Sequence, residues 1–124
     1  MRLLLDTQIL VWIMVDDARL RRAIRATLQS ADAIHISTAS IWEIAIKRSQ
    51  GRLTVPDDLL DRVRASTIEP LGVTIEHGWL AGGLPMIHAD PFDRMIIAQA
   101  IAEGLTIVTS DRRMRDYGVP VIAA

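Results

Sequence analysis

Cysteine is absent from the 124 residues of this sequence, and positive and negative charges nearly cancel. The absence of cysteine excludes a disulfide framework and any thiolate metal site, and it fits a reducing compartment. A formal net charge of −1 excludes general binding of polyanions through bulk positive charge. A nucleic acid would therefore have to be held by a local patch or through a metal ion.

A long uninterrupted hydrophobic run is also missing. The apolar stretch over residues 3–15 is broken by Asp6-Thr7-Gln8 and has no small-residue cleavage site, which argues against a signal peptide or a membrane span. We therefore expect a cytoplasmic protein without a membrane segment. Half of the residues are hydrophobic and 23% are charged, so disorder is not expected. The length predicts a single domain over residues 1–124.

Strands and helices are expected to alternate along the chain. Apolar or β-branched segments predict strands at Leu3–Leu5, Ala33–Ser37, within 68–75, at Leu105–Thr109 and, as an edge strand containing proline, at Val119–Ile122. Helical spacing predicts helices over 7–14, 18–30, 40–51, 55–66, 76–80, 91–104 and 112–117, with a loop at 82–85. This alternation predicts an α/β architecture with a mostly parallel central sheet flanked by helices.

The three tryptophans are expected to lie in the core, at Trp12, Trp42 and Trp79. The helices over 7–14 and 41–47 carry more apolar residues than one buried stripe needs. Either both helices are buried on most sides, or part of their apolar surface is a protein interface.

One helix start contains an acid that its helix cap does not require. Asp90 is a suitable N-cap, and Pro91 suits the first helical position. Asp93 then shares a helix face with Ile97 and, further on, Ala100 and Ile101, the face expected to pack inward. A carboxylate on such a face is unfavourable unless something compensates it. The alternative is that Asp93 completes a capping box with Asp90 and interacts with the helix dipole.

Four acids fall at junctions between elements. Asp6 ends the first strand, Glu43 lies in the helix after the second, Asp93 opens the helix before the fourth, and Asp111 follows the fourth. The strand C-termini of a parallel sheet share one edge, where ligands bind, so the four acids are expected to converge. Each has a local alternative: Asp6 and Asp111 as helix caps, and Glu43 as an i,i+4 partner of Lys47.

Clustered carboxylates repel one another unless a cation compensates them. Oxygen ligands without cysteine or a paired-histidine motif favour Mg²⁺ or Mn²⁺ over zinc. Such an ion supplies a water of lowered pKa and neutralises charge that builds on phosphate oxygens. The chemistry that the four acids predict is phosphodiester hydrolysis.

Four sequence blocks together resemble the PIN-domain ribonucleases, and most closely the VapC toxins of toxin–antitoxin pairs. The blocks are Leu4-Leu5-Asp6-Thr7, the run from Ser40 to Lys47 (SIWEIAIK), the run from Asp90 to Ala100 (DPFDRMIIAQA) and Val108-Thr109-Ser110-Asp111. Their order and spacing extend the resemblance over essentially the whole chain.

The resemblance implies a Rossmann-like PIN domain that acts as a Mg²⁺- or Mn²⁺-dependent endoribonuclease. Asp6, Glu43 and Asp93 fall on the family's acidic triad, and Asp111 falls on its fourth, less uniform acid. Asp6 and Asp93 would ligate metal most directly, and Glu43 and Asp111 would do so through water or a second ion. The resemblance further implies that the hydroxyls of Thr7 and Thr109 help to hold the site. It also implies an RNA substrate, a homodimer and a cognate antitoxin.

Cations also lie close to two of the acids. Arg94 follows Asp93, and Arg112, Arg113 and Arg115 follow Asp111, so these side chains either position phosphates or form a solvated surface.

Two other functions fit parts of the pattern. An aspartyl phosphatase of the haloacid-dehalogenase type also has an acid after its first strand, but it needs a second acid two residues later, where this chain has Gln8. A non-enzymatic α/β binding module is the other alternative, although no G-x-G-x-x-G phosphate loop follows Leu3–Leu5.

Overall fold

The computed structural model describes residues 1–124 and contains one five-stranded sheet. All neighbouring strands are parallel, in the order β3-β2-β1-β4-β5. The strands are β1 (Arg2–Leu5), β2 (Ala33–Ser37), β3 (Glu69–Leu71), β4 (Thr106–Thr109) and β5 (Val121–Ala123). The predicted parallel α/β architecture is therefore confirmed, and the sheet contains no antiparallel pair.

Six α-helices and one 3₁₀ helix connect these strands. They are α1 (Thr7–Met14), α2 (Arg22–Ser30), α3 (Thr38–Ser49), α4 (Leu59–Ala65), α5 (Ile75–Gly83), α6 (Pro91–Glu103) and the 3₁₀ helix Arg112–Tyr117. None of the helices has both the length and the apolar character needed to cross a bilayer.

Strand β1 is the centre of the core, and it is covered on both faces. Leu3 and Leu5 belong to one apolar cluster with residues of α1 to α4, whereas Leu4 belongs to a second cluster with Ile96 and Ile97 of α6. All three leucines are fully buried. This arrangement explains why β1 reads as continuous apolar sequence without alternation.

The sheet changes direction of winding between β1 and β4. From β1 the chain proceeds through α1 and α2 to β2 and then to β3, and it returns through α5 and α6 to β4 on the other side of β1. In open α/β sheets, ligands bind outside the strand C-termini at such a switch point. Asp6 directly follows β1 and Asp111 follows β4, so two of the predicted acids flank this point.

Several helix boundaries differ from the prediction. Helix α3 covers Thr38–Ser49 rather than 40–51, and helix α4 begins at Leu59 rather than at residue 55. Helix α2 begins at Arg22 rather than at residue 18, because the Asp17 carboxylate accepts hydrogen bonds from the Arg19 backbone N–H and guanidinium and holds a turn there. Helix α5 includes Gly82 and Gly83, which were predicted to lie in a loop.

Two tryptophans and one isoleucine were wrongly predicted to face inward. Trp12 is 9% exposed, but Trp42 is 63% and Trp79 is 85% exposed. The buried side of α3 carries Glu43 and its neighbours at helical spacing, so Trp42 points elsewhere, and α5 turns its buried residues away from Trp79 in the same way. Ile101, near the end of α6, is 42% exposed.

Candidate active site

Asp6 is the acid at the switch point. It caps α1, where its Oδ1 accepts a hydrogen bond from the Thr7 backbone N–H at 2.8 Å, and its Oδ2 accepts one from Thr109 Oγ1 at 2.6 Å. Burial raises the pKa of Asp6 and outweighs these two hydrogen bonds, and repulsion from Glu43 and Asp111 raises it further. Asp6 is thus a helix cap, as its local alternative proposed, and also a buried acid near other acids.

Glu43 lies on the buried side of α3 and is only 5% exposed. Its Oε1 accepts a hydrogen bond from the Thr7 hydroxyl at 2.7 Å, and its Oε2 lies 2.7 Å from Lys47 Nζ. The i,i+4 pair with Lys47 that the sequence allowed therefore forms, but not as a surface pair. Because an acid this deeply buried is unfavourable unless compensated, Thr7 and Lys47 are part of what keeps Glu43 in place.

Asp90 and Asp93 open α6. The Asp90 carboxylate accepts hydrogen bonds from the backbone N–H groups of Phe92 at 2.8 Å and Asp93 at 3.3 Å, which confirms Asp90 as the N-cap. The Asp93 side chain does not reciprocate with a bond to Asp90 N–H, so the capping box is incomplete. Burial, followed by repulsion from Asp90, Asp6 and Glu43, raises the pKa of Asp93 to about 7, and the nearby His88 opposes the shift.

These acids line a single polar cavity of about 310 Å³. Its wall includes the four carboxylates of Asp6, Glu43, Asp90 and Asp93, the two cations Lys47 and Arg52, and Thr7 and Gln8. Two other cavities, of about 200 Å³ between α3 and α4 and about 610 Å³ beside Trp42 and Phe92, are mainly apolar. Titratable side chains thus converge at one place on the molecule.

Asp111 lies beside this cavity rather than in its wall. Its backbone N–H donates to Thr109 Oγ1 at 2.9 Å, and the same hydroxyl donates to Asp6, so Thr109 joins the two acids. The Asp111 carboxylate caps the 3₁₀ helix at Arg113 N–H and lies 2.7 Å from His88 Nε2. Partial burial acts to raise the pKa of Asp111, but the hydrogen bonds from His88 and Arg113 outweigh it and lower the pKa overall.

Arg94 is not the phosphate-positioning or solvated residue that the sequence indicated. It is 7% exposed, and its guanidinium donates to four backbone carbonyls of the last turn of α5 and the segment after it, those of Leu84 at 2.8 Å, Pro85 at 3.0 Å, His88 at 3.2 Å and Gly82 at 3.4 Å. Arg94 therefore holds the segment that precedes the Asp90 cap, and it does not line the polar cavity.

The residues fit a hard divalent cation in donor chemistry, although they are not drawn together as ligands. No group of three or more histidine, aspartate or glutamate side chains is close enough in this arrangement to hold an ion. Instead, Lys47 compensates Glu43, and burial, with repulsion between the acids as a smaller cause, raises the pKa of Asp6 and Asp93. Oxygen donors with excess negative charge are the set that Mg²⁺ and Mn²⁺ bind.

The raised pKa of Asp93 predicts a pH-dependent gain in metal-free stability on replacing Asp93 with asparagine. A shift from 3.8 to about 7 corresponds to about 4 kcal/mol, and screening at this half-buried group reduces it to about 2 kcal/mol. The folded state binds the proton more tightly, so the wild type loses stability as the pH rises from about 4 to 7. Urea unfolding in a chelating buffer should therefore show Asp93→Asn more stable at pH 8 and equal to wild type below pH 4. A constant difference across this range would contradict the raised pKa of Asp93.

Sequence reasoning missed three side chains of this region. Lys47 was treated only as a surface partner of Glu43, although its i+4 position already predicts that it faces the same way. His88, which contacts Asp111, has no helical or strand periodicity to reveal it. Arg52 follows the end of α3 in a turn, and no pattern in the sequence directs it to the cavity.

Comparison with known proteins gives the family. The PIN domain profile matches residues 3–120. The chain is 31% identical over 120 residues to ribonuclease VapC22 of Mycobacterium tuberculosis, covering 94% of this chain and 92% of that protein. The structure of DNA-bound VapBC from Salmonella typhimurium matches with a TM-score of 0.75 and 19% identity, covering 99% of this chain and 98% of that one. VapBC2 from Rickettsia felis, bound to a promoter DNA fragment, matches with a TM-score of 0.73 and 18% identity over the same shares of both chains. The chain belongs to the PIN-domain family, in its VapC-type branch.

Proposed function

We propose that this protein is a metal-dependent endoribonuclease that acts as the toxin of a type II toxin–antitoxin pair. The observation that carries the proposal is the shared cavity of Asp6, Glu43 and Asp93 at the switch point of a PIN-domain sheet. The identity with a relative named as a ribonuclease supports RNA as the substrate. An RNA substrate and a cysteine-free sequence support a cytoplasmic location.

In this proposal Asp6 and Asp93 are the principal metal ligands, and Glu43 and Asp111 contribute through water or a second ion. When bound, Mg²⁺ or Mn²⁺ supplies a water of lowered pKa and neutralises charge on the phosphate that is attacked. Thr109 holds Asp6 and Thr7 holds Glu43, each through a hydrogen bond shorter than 2.8 Å. Fixed carboxylates lower the cost of assembling the site.

Lys47 and Arg52 supply the positive charge of the cavity. Lys47 is paired with Glu43 before any ligand enters, which compensates a buried acid that would otherwise repel a phosphodiester. Arg52 lies in the same wall and can donate to a phosphate oxygen. These two cations replace Arg94 as the residues proposed to position the RNA backbone.

The direct test is cleavage of RNA by the purified chain, free of any partner protein. With Mg²⁺ or Mn²⁺ present, we expect fragments with internal cleavage ends, and excess chelator should stop the reaction and added ion restore it. A small aryl phosphate ester serves as the control substrate and should stay intact. Hydrolysis of the ester without cleavage of RNA would instead support the aspartyl phosphatase alternative, for which Gln8 at the cavity wall offers no second acid.

An antitoxin is the proposed protein partner. The similar solved structures from Salmonella typhimurium and Rickettsia felis are VapBC assemblies, and one from Klebsiella pneumoniae is a toxin–antitoxin complex with a TM-score of 0.68. The apolar cavity between α3 and α4, lined by Ile41, Ile44 and Val63 among others, supports an apolar segment of the antitoxin as its occupant.

We also propose a homodimer, because apolar side chains are exposed together around α5. Ile75 is 89% and Trp79 is 85% exposed, and they lie four residues apart on one helix face. Replacing Trp79 with glutamate should convert a dimer into a monomer in size-exclusion chromatography with light scattering. Leu60→Glu, at an exposed position of α4, is the matched control and should leave the dimer intact. A monomeric wild type, or an unchanged Trp79→Glu dimer, would contradict this assignment.

A further inference from the structure

His88 forms hydrogen bonds to two different elements although it lies in the loop before α6. Its side chain is buried, with the residue 7% exposed. Its ring Nε2 lies 2.7 Å from Asp111 Oδ2, and its ring Nδ1 lies 3.0 Å from the Tyr117 hydroxyl. The His88 backbone N–H also donates to the Tyr117 hydroxyl, at 2.7 Å. The imidazole therefore joins the predicted fourth acid to the end of the 3₁₀ helix.

Counting donors gives the tautomer of this imidazole. The Tyr117 oxygen already accepts the His88 backbone N–H, so its own hydrogen is free to be donated to His88 Nδ1. Nδ1 is then an acceptor, and the ring proton resides on Nε2, which donates it to the Asp111 carboxylate. The Asp111 carboxylate, which can only accept, thus requires the Nε2–H tautomer, and the Tyr117 hydroxyl is compatible with it because it can donate to Nδ1.

The same chain of hydrogen bonds continues to the switch point. Asp111 Oδ1 accepts from the Arg113 backbone N–H at 3.0 Å, so both carboxylate oxygens are engaged and the side-chain orientation is fixed. The Asp111 backbone N–H donates to Thr109 Oγ1, which donates to Asp6 Oδ2 at 2.6 Å. Hydrogen bonds, joined through the His88 ring and through Asp111 from its side chain to its backbone N–H, therefore connect the Tyr117 hydroxyl with the Asp6 carboxylate.

We infer that His88 is a positioning residue that, as the Nε2–H tautomer that the Asp111 carboxylate requires, fixes Asp111 and through Thr109 the orientation of Asp6. Its effect on catalysis rests on the proposed nuclease function, whereas its hydrogen bonds do not. Because each of its oxygens accepts from a protein donor, Asp111 has a fixed orientation beside the cavity wall. Groups that orient metal ligands from this distance are typically worth 10- to 100-fold in activity or metal affinity.

The tautomer is tested by ring ¹⁵N NMR of the metal-free protein at one fixed pH. We expect His88 to show an unprotonated Nδ1 and a protonated Nε2. Tyr117→Phe should keep this tautomer, because the Asp111 carboxylate still accepts from Nε2, and Asp111→Ala should lose the preference, because that acceptor is removed. A protonated Nδ1 in the wild type, either in the other tautomer or in an imidazolium ion, would overturn the inference. This measurement is independent of any enzymatic activity.

The positioning role is tested with three substitutions at residue 88. His88→Gln places an amide N–H where Nε2 was, His88→Asn places one near Nδ1 instead, and His88→Ala has neither. We expect His88→Ala and His88→Asn to lower kcat about 10- to 100-fold with little change in KM, and His88→Gln to remain within a few-fold of wild type. Mn²⁺ affinity, measured by calorimetry, should follow the same order.

The outcomes separate this inference from the proposed function. An unchanged kcat in His88→Ala, or an equal loss in the glutamine and alanine variants, would overturn the positioning role. If the wild type cleaves no RNA, the proposed function fails, and the NMR spectrum together with Mn²⁺ affinities still decides the role of His88. If His88→Ala does not fold, the comparison of the glutamine and asparagine variants decides it.

Discussion

Replacing Asp93 with asparagine is expected to reduce RNA cleavage at least about a hundredfold while the protein remains folded. Asp93 is the acid of the cavity that receives no hydrogen bond from the protein, and its pKa is raised to about 7 by burial and by the acids around it. Its oxygens are therefore the donors that remain free for a cation. Asparagine keeps the shape but removes the charge, so the loss should appear in turnover and metal affinity rather than in folding.

The matched control for this variant is Asp61→Asn. Asp61 occupies the third position of α4, as Asp93 occupies the third position of α6, and both are first-turn acids. Asp61 is exposed and lies outside the cavity. Asp61→Asn removes a favourable interaction with a helix N-terminus, worth about 0.3–1 kcal/mol, and should leave cleavage near normal, whereas Asp93→Asn should lower cleavage at least about a hundredfold. Single-turnover cleavage at saturating Mn²⁺ is the measurement, and near-normal cleavage by Asp93→Asn would refute the assigned site.

The parts of the fold that sequence reasoning predicted are those that depend on local pattern. Strand β1 contains the continuous apolar run Leu3-Leu4-Leu5 because both of its faces are covered. Helix α6 follows Asp90 because aspartate suits the N-cap and Pro91 suits the first helical position. The order of the four acids along the chain became a prediction of convergence because parallel strands end at one edge. Asp6, Glu43 and Asp93 meet at that edge for this topological reason.

The failures concern side chains whose direction depends on other elements. Trp42 is exposed because its neighbour Glu43 occupies the buried side of α3. Hydrophobicity alone would predict the reverse, with the tryptophan buried and the glutamate exposed. The pairing of His88 with Asp111 spans 23 residues and that with Tyr117 spans 29, so no local period could reveal either. The tertiary environment overrides local preference at these positions.

Gly82 and Gly83 show the same effect on the backbone. They were predicted to lie in a loop because glycine disfavours a helix interior, yet both belong to the last turn of α5. The terminal carbonyls of a helix have no intrahelical partner, and Arg94 donates to the carbonyls of Gly82 and Leu84. A cation at the helix C-terminus also interacts favourably with its dipole. A residue of α6 therefore extends α5, which no local reading of the two glycines could predict.

This capping arrangement makes Arg94→Met the substitution with the largest expected effect on stability. Methionine approximates the length of the side chain but removes every donor, which leaves a set of carbonyls around a buried site without partners. Breaking a buried hydrogen-bonded network of this kind lowers the free energy of unfolding by about 3–5 kcal/mol. Arg94→Lys should lie between methionine and wild type, because an ammonium group cannot reproduce the forked geometry of guanidinium.

Urea unfolding monitored by circular dichroism measures these differences, and Arg112→Met is the control. Arg112 is exposed in the 3₁₀ helix, so its replacement should change the free energy of unfolding by less than about 0.5 kcal/mol. A loss of less than 1 kcal/mol in Arg94→Met would show that water replaces the guanidinium easily. Because the segment held by Arg94 carries His88 and ends at the Asp90 cap, a protein that stays folded should also lose part of its Mn²⁺ affinity. Arg94 would then stabilise the fold and support the candidate active site through the same hydrogen bonds.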